Sequence, residues 1–373
     1  MSRVDTQNNT PFEALAFHQI HKNGDEMAVL ALRGTFHFVP GEPLVLAARP
    51  EGLALSDRYQ GDPHKTPLIR TCDVVPYKPA TDVTLLGHAF APAGEPSRHW
   101  RVGVSLGDLA YEADVHGPRS WVAEGKGTFR MGEAEAVRSV PLAWTEAFGG
   151  PIPGTAKEDR PADVVEDNPL GCGVLDDDSP REGESLRAPS LEDPADPILD
   201  WKRRDYKPHG FGPVSPWWWS RRQYTGTYDE EWLEKKHPVL PMDFDYRFYQ
   251  YAPPGLVYPG YARGGEVLEL TGIHPDHPVL TARLPDCQPT CVAKWRGGDL
   301  DLFPMMLDGV HVDFLSDPAR VFLTWRCWVP ARGGVRRMDV HVDDAEALIA
   351  PLHRLDPRKL VRAALPDPRG GRG

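Results

Sequence analysis

Two aspartates separated by one residue are the most plausible chemical group in this sequence. Asp243 and Asp245 lie in the stretch MDFDYRF, and in an extended segment their side chains would point the same way. Two carboxyl groups beside tryptophans suit the hydrolysis of a glycosidic bond. The same acids would also suit an anchor for Arg247 or a polar surface. A carbohydrate-active enzyme with a paired-carboxylate site is therefore one hypothesis for this chain.

Other catalytic and metal-binding patterns are weak or missing. The sequence has no dinucleotide fingerprint, P-loop, zinc-protease motif or nucleophile elbow. Cys287 and Cys291, in CQPTC, resemble half of a zinc site, but the nearby His274 and His277 lie in HPDHP, which is typical of a loop. Five cysteines in a chain of this length favour free thiols over a disulfide framework. We expect no metal and no cofactor.

A cluster of aromatic and cationic residues is the candidate for binding a partner. Its residues are Trp217, Trp218, Trp219, Arg221, Arg222 and Tyr224. Successive side chains of a strand alternate in direction, so three adjacent tryptophans cannot all enter one core from a strand. Tryptophan and arginine are also enriched at protein interaction hot spots. Core packing, a protein interface and a small-ligand platform all remain open for this cluster.

The acids that follow the cluster predict the start of a short helix. Thr227 and Glu230 have the spacing of a capping box, and Pro238 would end the helix. The acids Glu230 and Glu231 suit the positive end of the helix dipole. We interpret these acids as structural rather than catalytic.

The elements around these residues are predicted to be mainly β. Residues 100–106 and 109–115 alternate between apolar and polar side chains, and Gly107 and Asp108 between them favour a two-residue hairpin turn. Residues 27–39 and several short runs after residue 263 have the same character. Asp343 and Asp344 predict the N-cap of a helix through about Ala350, and Asp356, followed by Pro357, predicts the start of a second C-terminal helix. The expected fold is therefore antiparallel, sandwich-like sheets with long irregular loops and a short helical C-terminus.

The chain is divided by composition into four regions. They are an N-terminal β region (1–150), a connecting region rich in Pro, Gly, acids and aromatics (151–262), a C-terminal β region (263–343) and a helical tail with a disordered end (344–373). The residues 158–200 contain 14 acids and 3 arginines, almost the whole net charge of −12. Within them DDDSPREGE indicates a solvated loop, although steering of a basic partner is an alternative.

Charge and hydropathy also bear on partners and location. Outside the acidic segment the chain is close to neutral, which disfavours binding to nucleic acid. The N-terminus has no apolar region of a signal peptide, and no stretch approaches the length needed to span a membrane. We expect a cytoplasmic protein that binds neither nucleic acid nor membrane, and the sequence predicts no particular oligomeric state.

Thirteen short motifs, in order along the chain, resemble the bacterial family catalogued as domain of unknown function 2169. The motifs are NTPF (9–12), GTF (34–36), SDRY (56–59), DVVPYKPATDV (73–83), GHA (87–89), PLAWTEAFGG (141–150), NPLGCG (168–173), PSLE (189–192), GFGP (210–213), GTYDEEW (226–232), PVLPMDFD (238–245), AP (252–253) and GGE (264–266). The resemblance covers residues 9 to about 330 and leaves out the C-terminal helices.

The resemblance implies an adaptor or chaperone and not an enzyme. Similar proteins are encoded with type VI secretion genes and are thought to stabilise a toxic effector with a PAAR repeat and to load it on the secretion spike. The family offers no catalytic residue to carry over. Its motif residues are expected to be structural, and they include Asn9, Pro11, Lys78, Asp82, His88, Glu146, Phe148, Gly149, Asn168, Gly171, Thr227, Tyr228, Asp229, Asp243 and Asp245.

Overall fold

A computed structural model describes residues 4–125, 128–175, 185–331, 334–364 and 366. The predicted fold class is confirmed, because most regular structure in these residues is β and the sheets are mainly antiparallel. The segment DDDSPREGE and nearly all of the tail predicted to be disordered lie outside the described residues.

The strands are numbered here in chain order. The first twelve are β1 (Asp5–Asn9), β2 (Glu13–Ile20), β3 (Glu26–His37), β4 (Val45–Leu46), β5 (Arg58–Tyr59), β6 (Leu68–Arg70), β7 (Asp82–Leu86), β8 (His88–Phe90), β9 (His99–Leu106), β10 (Leu109–His116), β11 (Arg119–Gly125) and β12 (Thr128–Met131). The others are β13 (Ser139–Pro141), β14 (Phe148–Gly149), β15 (Cys172–Gly173), β16 (Ser185–Ala188), β17 (Leu191–Glu192), β18 (Val267–Thr271), β19 (Val279–Arg283), β20 (Thr290–Trp295), β21 (Leu300–Pro304), β22 (Met306–Asp313), β23 (Arg320–Pro330) and β24 (Val335–His341).

Strands from the two ends of the chain share the largest sheets. One sheet has the order β2-β3-β23-β22-β7, with β4 added to β3, and another has the order β17-β10-β9-β18-β19. A four-stranded sheet has the order β1-β24-β20-β21, and a three-stranded sheet has the order β12-β11-β16. Three two-stranded pairs complete the set, namely β8 with β13, β14 with β15, and β5 with β6. The N-terminal and C-terminal β regions are thus interleaved.

The two long central strands carry the main core. Pairing of β3 with β23 extends from Met27 opposite Pro330 to His37 opposite Arg320. Nearly all of both strands is buried, including polar side chains such as Arg33 and Arg326. Because both faces of these strands are covered, the alternation expected for half-exposed strands is absent from them.

The hairpin predicted at residues 100–115 is confirmed. β9 and β10 pair from Leu106 opposite Leu109, and Gly107 takes the positive φ of 55° that this tight turn needs. Trp100 lies on the buried face of β9, whereas Arg101 on the other face pairs with Asp114 at 2.8 Å. One face of this hairpin therefore joins the core and the other stays wet.

Three α-helices occur in the described residues, namely α1 (Trp219–Arg222), α2 (Glu230–Lys235) and α3 (Ala345–Arg354). Short 3-10 helices span Pro92–Gly94, Trp144–Glu146, Tyr246–Tyr249, Pro254–Leu256 and Pro357–Lys359. Of the two predicted capping residues, Asp344 caps α3, and the helix continues past Pro351 to Arg354 instead of ending near Ala350. The second predicted C-terminal helix, capped by Asp356, is only a 3-10 turn.

The capping-box prediction for α2 is wrong in its capping residue. Asp229, not Thr227, is the N-cap, and its carboxylate accepts a hydrogen bond of 2.8 Å from the backbone N–H of Trp232. Thr227 donates its hydroxyl to Asp243 instead, at 2.8 Å. The structural role expected for Asp229 is nevertheless the one observed.

The connecting region contributes to a second hydrophobic core. Its buried members include Phe148, Leu175, Ile198 and Tyr206, which pack with Trp121 of β11. The crossing of FGG with NPLGCG lies at the edge of this core. A side chain at Gly150, where φ is +87°, would lie 2.1 Å from the carbonyl oxygen of Gly171. Only glycine fits at this backbone crossing.

Candidate functional site

The three adjacent tryptophans occupy three different environments. Trp218 is fully buried and meets Trp144 edge-on, with 5.3 Å between ring centroids. Trp217 is half-buried and packs against the same core. Trp219, the first residue of α1, is 44% exposed. The segment is a turn that leads into a helix and not a strand. The rings therefore diverge because the chain turns, and not because side chains alternate along a strand.

The two arginines of the cluster also differ in role. Arg221 is buried, and its guanidinium donates to the carbonyl oxygens of Val214 and Phe248, both at 2.9 Å. Burial lowers the pKa of Arg221, and the charges of Asp57 and Asp82 oppose this effect. Arg221 therefore ties the cluster to its own chain and is not presented to a partner.

Arg222 is on the surface and is held by the acidic segment. Its guanidinium pairs with Glu166 at 2.7 Å and lies over the ring of Trp219, 5.6 Å from the centroid. The backbone N–H of Trp219 also donates to the carbonyl oxygen of Glu166, at 2.9 Å. At this point the acidic segment is thus part of the fold and fixes the direction of α1.

The two aspartates of MDFDYRF do not form a pair. Residues 242 and 243 form a turn, so the extended geometry on which the glycosidase hypothesis depends is not present. Asp243 accepts hydrogen bonds from the backbone N–H and the hydroxyl of Thr227, at 3.1 and 2.8 Å. Asp245 pairs with Arg247, as the alternative interpretation expected. Each carboxylate is engaged by a separate partner.

The pKa values of these two acids agree with that description. The hydrogen bonds from Thr227 lower the pKa of Asp243, and the hydrogen bond from Arg247 lowers the pKa of Asp245. A general acid of a glycosidase needs a raised pKa. Both acids are instead held in the charged form.

We call the residues from Gly226 to Asp245, together with Trp219, Arg222 and Tyr224, the aromatic lobe. Tyr228 stacks edge-on against Trp232, with 4.6 Å between centroids. Arg247, beside the lobe, covers the ring of Tyr224 at 4.5 Å. Four large apolar side chains of the lobe are between 44% and 61% exposed, namely Trp219, Tyr228, Leu233 and Met242.

The exposed side chains of Trp219, Tyr228 and Met242 are of types that are common in protein interfaces, and the lobe also carries the charged residues of α2. Aromatic side chains, methionine and arginine are enriched at interfaces relative to the remaining protein surface. No side chain of α2 is buried in the described structure, and Asp229, Asp243 and Asp245 fix the turns around it. The exposed parts of Trp219, Tyr228, Leu233 and Met242 are therefore apolar surface that the chain itself leaves uncovered.

A buried ionic network supports the central sheet. Lys78 pairs with Asp82 at 2.9 Å and lies 3.5 Å from Asp308, and all three side chains are at most 3% exposed. Burial by itself would lower the pKa of Lys78, but the charges of Asp308 and Asp82 outweigh it and raise the pKa. Asp82 also accepts from the backbone N–H groups of Tyr251 and Ala252. The family residues Lys78 and Asp82 thus join β7 to the chain that follows the lobe.

The remaining family residues occupy turns and strand edges. Asn168 is buried and donates to the carbonyl oxygens of Trp144 and Phe148, at 2.9 and 3.0 Å. Glu146 pairs with Arg187. Phe148, Gly149 and Gly171 are buried. Asn9 is exposed and contacts His341, whereas Pro11 and His88 are half-buried, and burial lowers the pKa of His88.

Two further charged groups were not identified from the sequence. Arg326 and Arg33 are buried in β23 and β3, where Arg326 pairs with Asp308 and Arg33 pairs with Asp73 at 2.7 Å. The second group is Glu192 with its partners His116 and Arg119, at 2.7 and 2.6 Å. The available signal was a charged residue inside an otherwise apolar strand, as in RVFLTWRCWV.

The cysteines and histidines considered for zinc do not assemble. Within the residues that the structure describes, no group of three or more His, Cys, Asp and Glu is placed to hold a metal ion. His274 and His277 lie near each other, with ring centroids 5.0 Å apart. Burial raises the pKa of Cys287 to about 12, which disfavours the thiolate that zinc requires.

The fold and the lobe define a β-rich protein with a fixed, exposed aromatic platform. The chain belongs to a family described as an uncharacterized protein conserved in bacteria, DUF2169, whose model matches residues 23–326. No curated protein and no solved structure matches the chain. No helix built from the described residues is long and apolar enough to cross a membrane.

Proposed function

We propose that this protein is a cytoplasmic adaptor that binds and stabilises a PAAR-containing toxic effector and helps to load it on the type VI secretion spike. The observation that supports the proposal is the aromatic lobe, which exposes large apolar side chains to solvent. The hydrogen bonds of Asp243 with Thr227 and of Asp229 with Trp232 hold its backbone. Covering such groups with a partner removes apolar area from water and stabilises the complex.

The lobe has features of an interaction hot spot. Trp219 is exposed, and the guanidinium of Arg222 lies over its ring. Arg222 in turn forms an ion pair with Glu166. A braced side chain loses little conformational entropy when a partner covers it. We therefore expect Trp219 to contribute strongly to binding and Trp218 to contribute to folding.

The test is co-expression with a PAAR-containing effector encoded beside this gene. We expect the two proteins to co-purify, the effector level to fall when the adaptor is omitted, and effector secretion to be lost with it. A stable effector without the adaptor, and no complex between them, would refute the proposal.

Two variants separate binding from folding. Trp219→Ala should weaken the complex by about 2 kcal/mol, or roughly thirtyfold in Kd, and leave the melting temperature nearly unchanged. Leu199→Ala is the matched control, because Leu199 is 73% exposed and lies outside the lobe. If both variants bind like the wild type, the lobe is not the interface.

A further inference from the structure

Strand β21 (Leu300–Pro304) is an open sheet edge with an apolar face. It is the last strand of the order β1-β24-β20-β21, and no described strand pairs with its other side. Leu300 and Leu302 are 57% and 70% exposed. An exposed edge strand with apolar side chains is a template for pairing with another chain.

In the β20–β21 hairpin, only alternate residues form hydrogen bonds across to the partner strand, and this pattern decides which backbone groups of β21 are free. The N–H of Trp295 donates to the carbonyl of Asp299, and the N–H of Met305 donates to the carbonyl of Pro289. Both contacts belong to the narrow, hydrogen-bonded pairs of an antiparallel ladder, which alternate with non-bonded pairs. Leu300 and Leu302 are in the non-bonded positions, so their N–H and C=O groups point outward. Pro304 has no N–H and ends the available edge.

Charge on the strand selects what can pair with it. Asp299 and Asp301 are exposed and alternate with the two leucines. A second copy of β21 would bring these acids against one another, which disfavours a homodimer through this edge. A strand with basic residues beside the acids and apolar residues beside the leucines complements both. Lys294 lies across from Leu300, and its ammonium group pairs with the carboxylate of Asp339 at 2.7 Å. Its positive charge is therefore compensated and does not repel a basic segment.

The strand also leads into a small cavity. Its lining includes Phe303, Pro304 and Met306, the aromatic residues Tyr77 and Trp328, and the charged residues Lys78, Asp308 and Arg326. Its volume is about 140 Å³.

We propose that β21 binds an extended segment of another protein, in which apolar and basic residues alternate, as an added strand of this sheet. Main-chain hydrogen bonds to Leu300 and Leu302 supply affinity, and the acids supply specificity. The proposal does not depend on the aromatic lobe or on the identity of the effector.

The probe is a fluorescent peptide of about ten residues in which valine and lysine alternate, long enough to pair along the whole edge. Binding is followed by anisotropy and by amide hydrogen exchange of the full-length protein. We expect binding that slows exchange at the outward amides of Leu300 and Leu302. A peptide with glutamate in place of lysine, and one with N-methylated valines, should both bind at least tenfold more weakly. Absent binding, or binding without protection of β21, would overturn the proposal.

Variants of one residue separate the backbone from the side chain. Leu302→Pro removes an outward N–H that the hairpin does not use, whereas Leu302→Ala keeps this N–H and shortens the side chain. We expect Leu302→Pro to bind the valine–lysine peptide about tenfold more weakly than Leu302→Ala, in keeping with one lost hydrogen bond. Equal affinity of the two variants would show that the peptide does not pair with this edge.

Asp301→Asn tests the charge term and provides a second route if the proline variant does not fold. Asparagine keeps an acceptor for the indole N–H of Trp295, which donates to Asp301 at 2.8 Å. We expect affinity for the lysine peptide to fall about threefold, and the preference over the glutamate peptide to narrow. An unchanged preference would contradict the role assigned to the acids. A wild-type protein that forms the effector complex but does not bind the peptide would refute the proposal for β21 and leave the adaptor role intact.

Discussion

Glu192 provides a quantitative test of whether the acidic segment is part of the fold. Its carboxylate accepts hydrogen bonds from Arg119 at 2.6 Å, from His116 at 2.7 Å and from the backbone N–H of Ile198 at 3.0 Å. Burial would raise the pKa of Glu192, but His116 and Arg119 outweigh burial and lower the pKa to about 2. The carboxylate therefore links β17 to β10 and β11 in its charged form.

The lowered pKa of Glu192 gives the magnitude and the pH dependence of its contribution to the free energy of unfolding. The ordinary value for a glutamate is 4.5, so a folded pKa of about 2 corresponds to about 3 kcal/mol of stability. Because the folded pKa is below the unfolded one, this stability is complete above pH 4.5 and is lost as the pH falls toward 2. Glu192→Gln removes the titrating group. The free energy of unfolding should therefore differ between wild type and variant by about 3 kcal/mol at pH 6 and by about half of that at pH 3.

Urea titrations at a series of pH values measure this difference. Glu124→Gln is the control, because Glu124 and its partner Arg130 are both about half exposed and a surface pair contributes less than about 1 kcal/mol. A difference for Glu192→Gln that is below about 1 kcal/mol at pH 6, or that does not shrink in acid, would refute this account of the buried carboxylate.

Three other predictions concern buried groups. Asp82→Asn should lower the free energy of unfolding by about 3–5 kcal/mol, because it leaves Lys78 buried beside one acid fewer; a loss below 1 kcal/mol in urea titrations would contradict this. Gly150→Ala should cost about 3 kcal/mol through a backbone clash, whereas Gly260→Ala, with a similar φ but open space, should cost about 1 kcal/mol; equal shifts in melting temperature would refute the clash. Cys287, whose pKa is raised to about 12 by burial, should react with iodoacetamide at pH 8 more than tenfold more slowly than a free thiol in peptide-level mass spectrometry, and an equal rate would contradict its burial.

Local sequence patterns predicted the elements whose stability is local. The β9–β10 hairpin follows from alternation and from a glycine in a two-residue turn, and the structure has it at the expected residues. The cap of α3 at Asp344 was predicted for the same reason, since the carboxylate and the N–H it accepts from are three residues apart. In both cases the deciding contacts are between near neighbours in the chain.

The cap of α2 was predicted wrongly because contacts between residues distant in the chain determine it. The hydroxyl of Thr227 has a local N–H within reach in a capping box, but Asp243, 16 residues later, offers a charged acceptor. The charge-assisted hydrogen bond to Asp243 holds the Thr227 side chain, and the carboxylate of Asp229 accepts the helical N–H as the cap. The network of Lys78 was unpredictable for a related reason, because its partner Asp308 comes from another strand and no local pattern joins the two.

The tryptophan cluster shows how the two kinds of contact combine. Local geometry alone separates Trp218 from Trp219, because a chain that turns into a helix sends adjacent side chains in different directions. Which ring enters the core depends on distant residues, since Trp144 receives Trp218 and Glu166 holds the start of α1. Glu166 belongs to the acidic segment, so this part of the segment orients the surface proposed to bind the effector. Replacing Glu166 with glutamine would keep the backbone contact and release Arg222, which should weaken effector binding less than Trp219→Ala does. If the two variants weakened binding equally, the contribution of the Trp219 ring would depend on its contact with Arg222, and the expected order of the two effects would be wrong.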